Sequence, residues 1–296
     1  NMTLLPAQEN NGIVFVRTDK DNLEIKADID LVVSTNRSTN LSFQETDIKT
    51  VEHILAAIAG NNIDNLIIEI DNEEVPILDG SAKDFSDKIF ETGLINQNEY
   101  KKFYKIKKEI RYLDKNTGTK IIATPSETFE LDVTIDYNSE TLGLQNSTLN
   151  NISDFGKEIA SSRTFCFLHD LEELLADNLI KGGDINNAIV IVENDINNSN
   201  LSTLAKKFGK DTIKVSRDGI LDNLELRHKN EASRHKLLDM IGDLSLVGVP
   251  IKGKIIAIKP GHTHNINFAK KLKETIIKDM KITEPIINFE EKPIYN

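Results

Sequence analysis

Two residues four positions apart, His235 and Asp239, have the spacing of two metal ligands on one turn of a helix. The surrounding stretch 230–243 reads as a helix, and residues i and i+4 project from the same helical face. Leu237 and Leu238 supply an apolar side that would anchor it in a core. An isolated pair of this kind is more often a surface ion pair, so the pair predicts a metal site only if another ligand converges on it.

The third ligand that the sequence offers is His53, which follows Glu52 in the first turn of another predicted helix. Two histidines and one carboxylate form a zinc set that leaves a position for water. Zinc lowers the pKa of such a water to about 7, and a nearby Glu52 could then take its remaining proton. The same ligands suit ferrous iron in oxygenases, and Glu52 could instead merely complement the helix dipole.

Two further segments carry polar groups that are weak signals alone. His262 and His264 lie in 259–267, which is predicted as a loop after a strand and so could present groups without burial. His262 could protonate a leaving amine, a step of general acid catalysis typically worth about 10²–10⁴ in rate. Thr164 offers a hydroxyl between Arg163 and Phe165.

Charge and composition limit the kinds of partner. The 296 residues include 36 Lys plus Arg against 47 Asp plus Glu, and the net charge of -11 argues against bulk electrostatic binding of nucleic acid. The single cysteine, Cys166, excludes an intrachain disulfide and suits a reducing compartment. No apolar run is long enough to cross a bilayer, and the first six residues do not form a signal peptide. We expect a soluble, cytoplasmic protein without a transmembrane segment.

The hydrophobic pattern predicts an α+β fold with two domains, residues 1–100 and 101–280, and a polar tail over 281–296. Strands are predicted at 3–5, 13–16, 23–27, 31–34, 41–43, 65–70, 106–113, 120–124, 129–136, 188–192 and 254–258. Helices are predicted at 51–59, 81–92, 154–159, 168–178, 201–208, 230–243 and from 268 to about 280. Thr50 is the expected N-cap of the first helix and Gly60 its stop. The strands of 106–136 are expected to form an antiparallel meander, and a helix-glycine-strand order that recurs at 51–68 and before 190 suggests a duplicated unit.

Several segments together resemble the UDP-3-O-acyl-N-acetylglucosamine deacetylases, the zinc hydrolases of lipid A biosynthesis in Gram-negative bacteria. They are TVEH at 50–53, PILDGS at 76–81, RTF at 163–165, IKGG at 180–183, NAIV at 187–190, RHKLLDMIGD at 234–243 and GH at 261–262. Their order is that of the family and they span nearly the whole chain. The resemblance implies hydrolysis of the 2-acetamido group of UDP-3-O-[(3R)-3-hydroxyacyl]-N-acetylglucosamine, which gives acetate and a free amine.

The resemblance also implies a role for each residue of the site. The metal ligands, for Zn²⁺ or alternatively Fe²⁺, would be His53, His235 and Asp239. Glu52 would be the general base, His262 the general acid, Asp243 the carboxylate that orients and charges His262, and Thr164 the donor to the tetrahedral oxyanion. Lys236 and Lys181 would contact the polar head of the substrate, with Lys236 nearest the diphosphate.

The fold of the family implies two similar α+β domains packed helix layer to helix layer, with the site between them and a small insert from each. The second insert, a β-α-β unit over about 164–192, would form an apolar passage for the acyl chain. The residues expected to line it are Phe165, Leu168, Leu171, Ile180, Ala188 and Val190. These side chains would equally suit the ordinary packing of a small unit.

The chain departs from the family at both ends. A strand and a Gly-Leu-His turn that normally begin the first domain are absent before Asn1, so we expect one wall near the acyl passage to be missing. The polar tail resembles a linker, and some relatives in the Bacteroidetes continue there into a hydroxyacyl carrier-protein dehydratase. The insertion around 138–150 is similar to theirs, so a fused dehydratase domain is expected after the C-terminus.

Three other functions remain open at this stage. A related amidase could act on a different acylated nucleotide sugar, because the sequence does not define the shape of the acyl passage. A ferrous oxygenase would use the same ligands but would need sites for a second, oxidising substrate. A non-catalytic binding domain is the third alternative, given the missing N-terminal strand.

Overall fold

The computed structural model of the protein describes residues 1–170, 187–193, 201–202, 205–206, 211–221 and 224–282. The strands in chain order are β1 (Met2–Pro6), β2 (Ile13–Arg17), β3 (Leu23–Lys26), β4 (Val32–Ser34), β5 (Asn40–Phe43), β6 (Thr46–Ile48), β7 (Leu66–Ile70), β8 (Tyr104–Lys105), β9 (Ile110–Leu113), β10 (Lys120–Thr124), β11 (Phe129–Ile135), β12 (Gln145–Leu149), β13 (Phe165–Phe167), β14 (Ile189–Ile191) and β15 (Ile251–Ile258). The α-helices are α1 (Glu52–Gly60), α2 (Lys83–Thr92), α3 (Phe155–Glu158), α4 (Glu231–Ser245) and α5 (His262–Ile282), and 3-10 helices cover Ile29–Leu31 and Ile152–Asp154. Most of the predicted helix 168–178 and half of the predicted helix 201–208 fall outside the described residues.

The first part of the chain forms a four-stranded sheet with the order β1-β7-β2-β3. Strand β7 is antiparallel to β1 and parallel to β2. Alternate residues such as Phe15 and Ile68 are fully buried because successive side chains of a strand point to opposite faces. Strands β4, β5 and β6 form a separate three-stranded antiparallel sheet, and the chain passes from it into α1.

The later part of the chain forms a six-stranded sheet in which β15 is central. Its order is β12-β11-β15-β10-β9, and β8 also pairs with β15. The predicted meander of 106–136 is therefore wrong beyond β9 and β10, because β15 lies between β10 and β11 and runs parallel to β11. Alternating apolar residues predict strands but not their neighbours, and β15 joins from more than 100 residues later in the chain. Strand β12 was not predicted, since most of its residues are polar and only Ser147 and Leu149 are buried.

Helices α1 and α4 pack against each other, and α4 also lies against β11 and β12. Each has buried residues on almost every side, as expected of a helix enclosed by other elements. Their contact is close at Gly242, where a Cβ atom would lie 2.1 Å from the carbonyl oxygen of Glu52. Buried apolar residues of both sheets and both helices belong to one continuous core. The α+β fold class predicted from the sequence is confirmed.

Two predicted features next to the site are wrong. Thr50 does not cap α1; it has a φ of 59°, and its hydroxyl donates to Oε1 of Glu74 at 3.0 Å, while Val51 occupies the cap position. The predicted loop 259–267 ends early, because α5 begins at His262. The first four residues of the helix, 262–265, are polar and show no apolar periodicity. Ile266 and Phe268, both buried, are the first large apolar residues on its inner face.

None of the helices in the described part of the chain combines the length and the apolar character that crossing a bilayer would require.

We predict that Gly242→Ala destabilises the protein although alanine favours helices. The added methyl group meets backbone rather than a movable side chain, so α1 and α4 must separate, which should lower the free energy of unfolding by about 1–3 kcal/mol. Urea unfolding would measure the change. The matched control is Gly156→Ala in α3, where the new Cβ has only an ordinary contact, 3.7 Å from Oγ of Ser86. Equal unfolding midpoints for the two variants would contradict the prediction.

Candidate metal centre and active site

Three buried side chains, His53, His235 and Asp239, meet between α1 and α4. His53 is the second residue of α1, while the other two lie one turn apart on α4. One donor atom from each lies within 4.8 Å of the others. Oδ1 of Asp239 is 3.2 Å from Nε2 of His235 and 3.6 Å from Nε2 of His53. The structure thus places together the three residues that the sequence proposed as metal ligands.

The protonation of this cluster fits a bound cation. Nδ1 of His235 lies 3.0 Å from the carbonyl oxygen of Ser162, which can only accept, so Nδ1 carries the proton. Burial lowers the pKa of His235 to about 3, which leaves Nε2 with its lone pair directed at Asp239. Burial would raise the pKa of Asp239, but its neighbours His235 and Lys236 hold it well below its usual range. Oδ1 of Asp239 is buried and has no hydrogen-bond donor among the described residues. Acceptors therefore face one another, an arrangement that a metal ion would satisfy.

Glu52 lies beside these ligands as the first residue of α1. Its Oε2 accepts a hydrogen bond from the backbone N–H of Thr39 at 3.0 Å, and its Oε1 is 3.9 Å from Nε2 of His262. Burial raises the pKa of its carboxyl group, although the charge of His262 opposes the change. A buried carboxylate with a raised pKa is suited to accept a proton from water.

His262 faces the cluster from the start of α5 and is held by Asp243. Its Nδ1 lies 3.0 Å from Oδ2 of Asp243, and its Nε2 is 3.8 Å from Oδ2 of Asp239. Burial alone would lower its pKa, but Asp243 and Asp239 raise it to about 9, so the imidazole is charged at neutral pH. Asn265 and Thr39 also donate to Asp243, at 2.9 Å and 2.6 Å. A charged imidazole of this kind can donate a proton.

Lys236 lies on the same helix as two of the ligands and extends along the cavity wall. Its Nζ donates to Oδ2 of Asp239 at 2.7 Å and is 5.5 Å from the centroid of the Phe165 ring. Burial would lower its pKa, but Asp239 and other acidic groups raise it, so the side chain stays charged. The charged amine therefore forms a hydrogen bond to Asp239, and its side chain is part of the cavity wall.

Thr164 is positioned by its backbone. Its N–H donates to the carbonyl of Gly80 at 2.8 Å, and its own carbonyl accepts from the N–H of Ile189 at 2.8 Å. Gly80 has a φ of +83°, and a Cβ there would lie 1.8 Å from a backbone oxygen, so only glycine fits. These contacts hold Thr164 in the wall of the cavity that contains the ligand cluster.

A cavity of about 230 Å³ opens onto the cluster. Sequence reasoning named seven of the residues that line it: Glu52, His53, Thr164, His235, Lys236, Asp239 and His262. It missed the other five: Arg37, Ser38, Thr50, Glu74 and Ile77. It also missed Thr39, which is fully buried behind the cavity. Thr50 and Ile77 lie in segments that carry the family resemblance, although neither was given a role in the site. Arg37, Ser38, Thr39 and Glu74 lie in short connections where composition and spacing carry no sign of a site.

The residues proposed for the acyl passage are only partly described. Leu171 and Ile180 lie outside the described residues, as does Lys181, which was proposed to contact the polar head of the substrate. Phe165 is half-buried against the main core, and Ala188 is also half-buried. Leu168 and Val190 are buried in a separate small apolar cluster that includes Val192 and Leu221. Phe165 belongs to β13 and Val190 to β14, and the two strands pair in parallel. A passage lined by these residues remains a prediction.

A buried ion pair joins this region to α4. The guanidinium of Arg163 donates to Glu231 through Nε at 2.8 Å, and its other end donates to the carbonyl of Glu225 at 2.6 Å. Backbone N–H groups of Arg163 and Arg227 also donate to the Glu231 carboxylate. The residue before Arg163 supplies the carbonyl that fixes the tautomer of His235. The ion pair therefore connects the segment that contains Ser162, whose carbonyl bonds to His235, with the start of α4.

Comparison with known proteins gives consistent matches. A family model described as UDP-3-O-acyl N-acetylglycosamine deacetylase matches residues 1–208 and 204–274. The chain is 42% identical over 277 residues to the "Bifunctional enzyme LpxC/FabZ" of Chlorobaculum tepidum, covering 92% of this chain and 59% of that protein. It is 40% identical over 294 residues to the protein of the same name from Bacteroides thetaiotaomicron, covering 99% and 64%.

A shorter relative is matched over most of its length. The "UDP-3-O-acyl-N-acetylglucosamine deacetylase" of Thermodesulfovibrio yellowstonii is 38% identical over 291 residues, covering 98% of this chain and 90% of that protein. The chain thus spans about three fifths of the bifunctional relatives but nearly all of a relative named for the deacetylase alone.

We predict that the buried pair of Arg163 and Glu231 makes stability depend on acid pH. Burial opposes the charge of Glu231, but hydrogen bonds from Arg163 hold its pKa below its ordinary value of 4.5. Its contribution is complete above pH 4.5 and is lost as the pH falls through the lowered folded-state pKa. Glu231→Gln should therefore cost on the order of 3 kcal/mol at pH 7 and progressively less below pH 4.5.

Urea unfolding of wild type and variant across this pH range would measure the difference. Glu109→Gln is the control, since Glu109 pairs with Arg111 at the surface and its loss should matter little at any pH. A difference for Glu231→Gln that stays constant with pH would refute the linkage.

Proposed function

The chain belongs to the UDP-3-O-acyl N-acetylglycosamine deacetylase family, and from this membership we propose that it hydrolyses the N-acetyl group of UDP-3-O-[(3R)-3-hydroxyacyl]-N-acetylglucosamine in lipid A biosynthesis. The products would be acetate and the free amine. The observation that carries the proposal is the convergence of three buried metal-ligand donors, within 4.8 Å of one another, beside Glu52 and His262. This is the constellation that hydrolysis of an unactivated amide needs: a metal site, a base and an acid.

We propose zinc as the cofactor, held by His53, His235 and Asp239. Two histidines and a carboxylate are a ligand set of catalytic zinc, and ferrous iron is the other metal that the set would accept. A zinc ion at this position would act as a Lewis acid on the amide carbonyl and lower the pKa of the attacking water.

The proton transfers are assigned to Glu52 and His262. Glu52, whose Oε1 is directed towards the cavity, takes a proton from the water. At the same time the water oxygen forms a bond to the amide carbon. His262, charged because Asp243 raises its pKa, gives a proton from Nε2 to the nitrogen as the carbon-nitrogen bond breaks. The two groups start in opposite protonation states, as a base and an acid must.

The remaining groups of the cavity bind and stabilise the substrate in this proposal. The hydroxyl of Thr164 donates to the oxygen that becomes negative in the tetrahedral intermediate. Lys236, held charged beside Asp239, binds the diphosphate with Lys181, and the residues Phe165, Leu168, Leu171, Ile180, Ala188 and Val190 accommodate the acyl chain.

We also propose a division of the chain into two domains, an insert and a linker. We take residues 1–100 and 101–280 as its two domains, with the insert near 164–192 and the polar segment 281–296 as a linker. Because the bifunctional relatives are longer than this chain, we propose that a dehydratase domain is fused after residue 296.

Removing one ligand should abolish metal binding. We predict that His53→Ala and His235→Ala, purified and equilibrated with equimolar zinc, each retain less than about one tenth of the zinc bound by wild type, because catalytic zinc needs all three protein ligands. Metal content would be measured by plasma mass spectrometry after gel filtration. The control is His264→Ala, since His264 faces Tyr112 rather than the cluster. Full zinc retention by both ligand variants would exclude the proposed site.

Glu52→Gln tests the base without removing a ligand. The amide keeps the shape of the side chain but cannot take a proton, so we predict a fall in kcat for acetate release of about 10²–10⁴ with zinc content unchanged. Acetate would be measured from the UDP-linked substrate named above. Glu73→Gln, which alters a surface carboxylate paired with Lys49, is the control. Undiminished release by Glu52→Gln would remove Glu52 from the mechanism, whereas no release by wild type with zinc bound would refute the deacetylase itself.

A further inference from the structure

Thr39 makes hydrogen bonds to both carboxylates that control proton transfer, and nothing in its sequence context marks it. We propose that Thr39 is a positioning residue that sets the orientation of Asp243, and through it His262, while holding Glu52. The inference rests on the proposed function for its kinetic consequence, but its geometric basis is independent of the substrate.

Thr39 lies just before β5 and is fully buried. Its backbone is fixed against the start of α1, since its carbonyl accepts from the N–H of Val51 at 3.1 Å and its own N–H donates to Oε2 of Glu52 at 3.0 Å. Its hydroxyl is therefore delivered to one place. That hydroxyl donates to Oδ1 of Asp243 at 2.6 Å.

The two oxygens of Asp243 have separate partners. Oδ2 accepts from Nδ1 of His262 at 3.0 Å and from Nδ2 of Asn265 at 2.9 Å, whereas Oδ1 accepts from Thr39. The hydroxyl has a single proton, and Oδ1 is nearer than Nδ1 of His262, which lies 3.3 Å away. Thr39 therefore donates to Asp243 and not to His262.

The two carboxylate oxygens of Asp243 therefore have different roles. With Oδ1 engaged by Thr39, the carboxylate plane is fixed and Oδ2 is kept directed at Nδ1 of His262. Without the hydroxyl, a buried oxygen would lose a strong donor, and Asp243 would turn to share its remaining donors. His262 would then lose the alignment of Nε2 with the cavity, where displacements of about 1 Å can cost on the order of 10² in rate.

Thr39→Val and Thr39→Ser separate the hydroxyl from the shape of the side chain. Valine fills the same volume without the donor, whereas serine keeps the donor. We expect Thr39→Val to lower kcat for acetate release by about 10–100-fold with KM changed less than about twofold, and Thr39→Ser to stay within about threefold of wild type. In an Asp243→Asn background, Thr39→Val should cost less than about threefold more, because it acts through Asp243.

A second measurement needs no substrate. The Nδ1–H resonance of His262, identified by its absence in His262→Gln, should move in Thr39→Val and stay in place in Thr39→Ser. This separates the inference from the proposed function: if wild type releases no acetate, the resonance alone decides the role of Thr39. If Thr39→Val does not fold, Thr39→Ala takes its place in both measurements.

Three outcomes would overturn the inference. They are equal kcat for the valine and serine variants, fully multiplicative losses for Thr39→Val and Asp243→Asn, and a His262 resonance unmoved by loss of the hydroxyl. A loss confined to KM would likewise place Thr39 in substrate binding instead.

Discussion

Helices α1 and α4 approach each other so closely at Gly242 that a side chain there would strike the carbonyl oxygen of Glu52. This contact brings His53 beside His235 and Asp239, although some 180 residues separate them in the chain. It also encloses the cluster, since each helix is buried on almost every side. The ligand geometry is therefore a property of the packed core and not of a mobile loop. Precision of this kind needs rigid elements, and two packed helices provide it.

Burial shifts the pKa values of the site residues, and it also makes their charged forms energetically unfavourable. Glu52, Asp239 and Asp243 are all buried, and each has an oxygen within 3.9 Å of a ring nitrogen of His262. Isolated carboxylates in such surroundings would be very unfavourable. The structure compensates for them unequally. Within the described residues, Asp243 accepts from Thr39, Asn265 and His262, whose charge it sustains. Glu52 accepts there from one backbone N–H and has a raised pKa. Different compensation of similar groups separates an acid from a base in one small volume.

Local sequence pattern predicted the helices and strands that contain the site residues better than it predicted how these elements pack and pair. The spacing of His235 and Asp239 placed both on one face of α4, because helical periodicity is local. The position of His53 opposite them depends on packing, so residue types proposed it as a third ligand but local spacing could not show that it meets the other two. Strand β15 was predicted, but its place between β10 and β11 was not, since pairing over more than 100 residues leaves no local pattern. Thr39 could not be predicted, because its role arises from three partners on α1, α4 and α5.

Strain around the cavity follows from the same arrangement. Arg37, Thr50, Leu78 and Lys259 all have positive φ values, and all lie within three residues of a residue that lines the cavity or the ligand cluster. For Thr50, with its branched side chain, this conformation is costly, and it persists because Asn40 and Glu74 bind its N–H and hydroxyl. Oδ1 of Asp239, which has no hydrogen-bond donor in the described part of the chain, adds to this cost. A cation bound only by the folded protein would recover stability as well as supply chemistry. The same three side chains, His53, His235 and Asp239, would then contribute to stability as well as to metal binding.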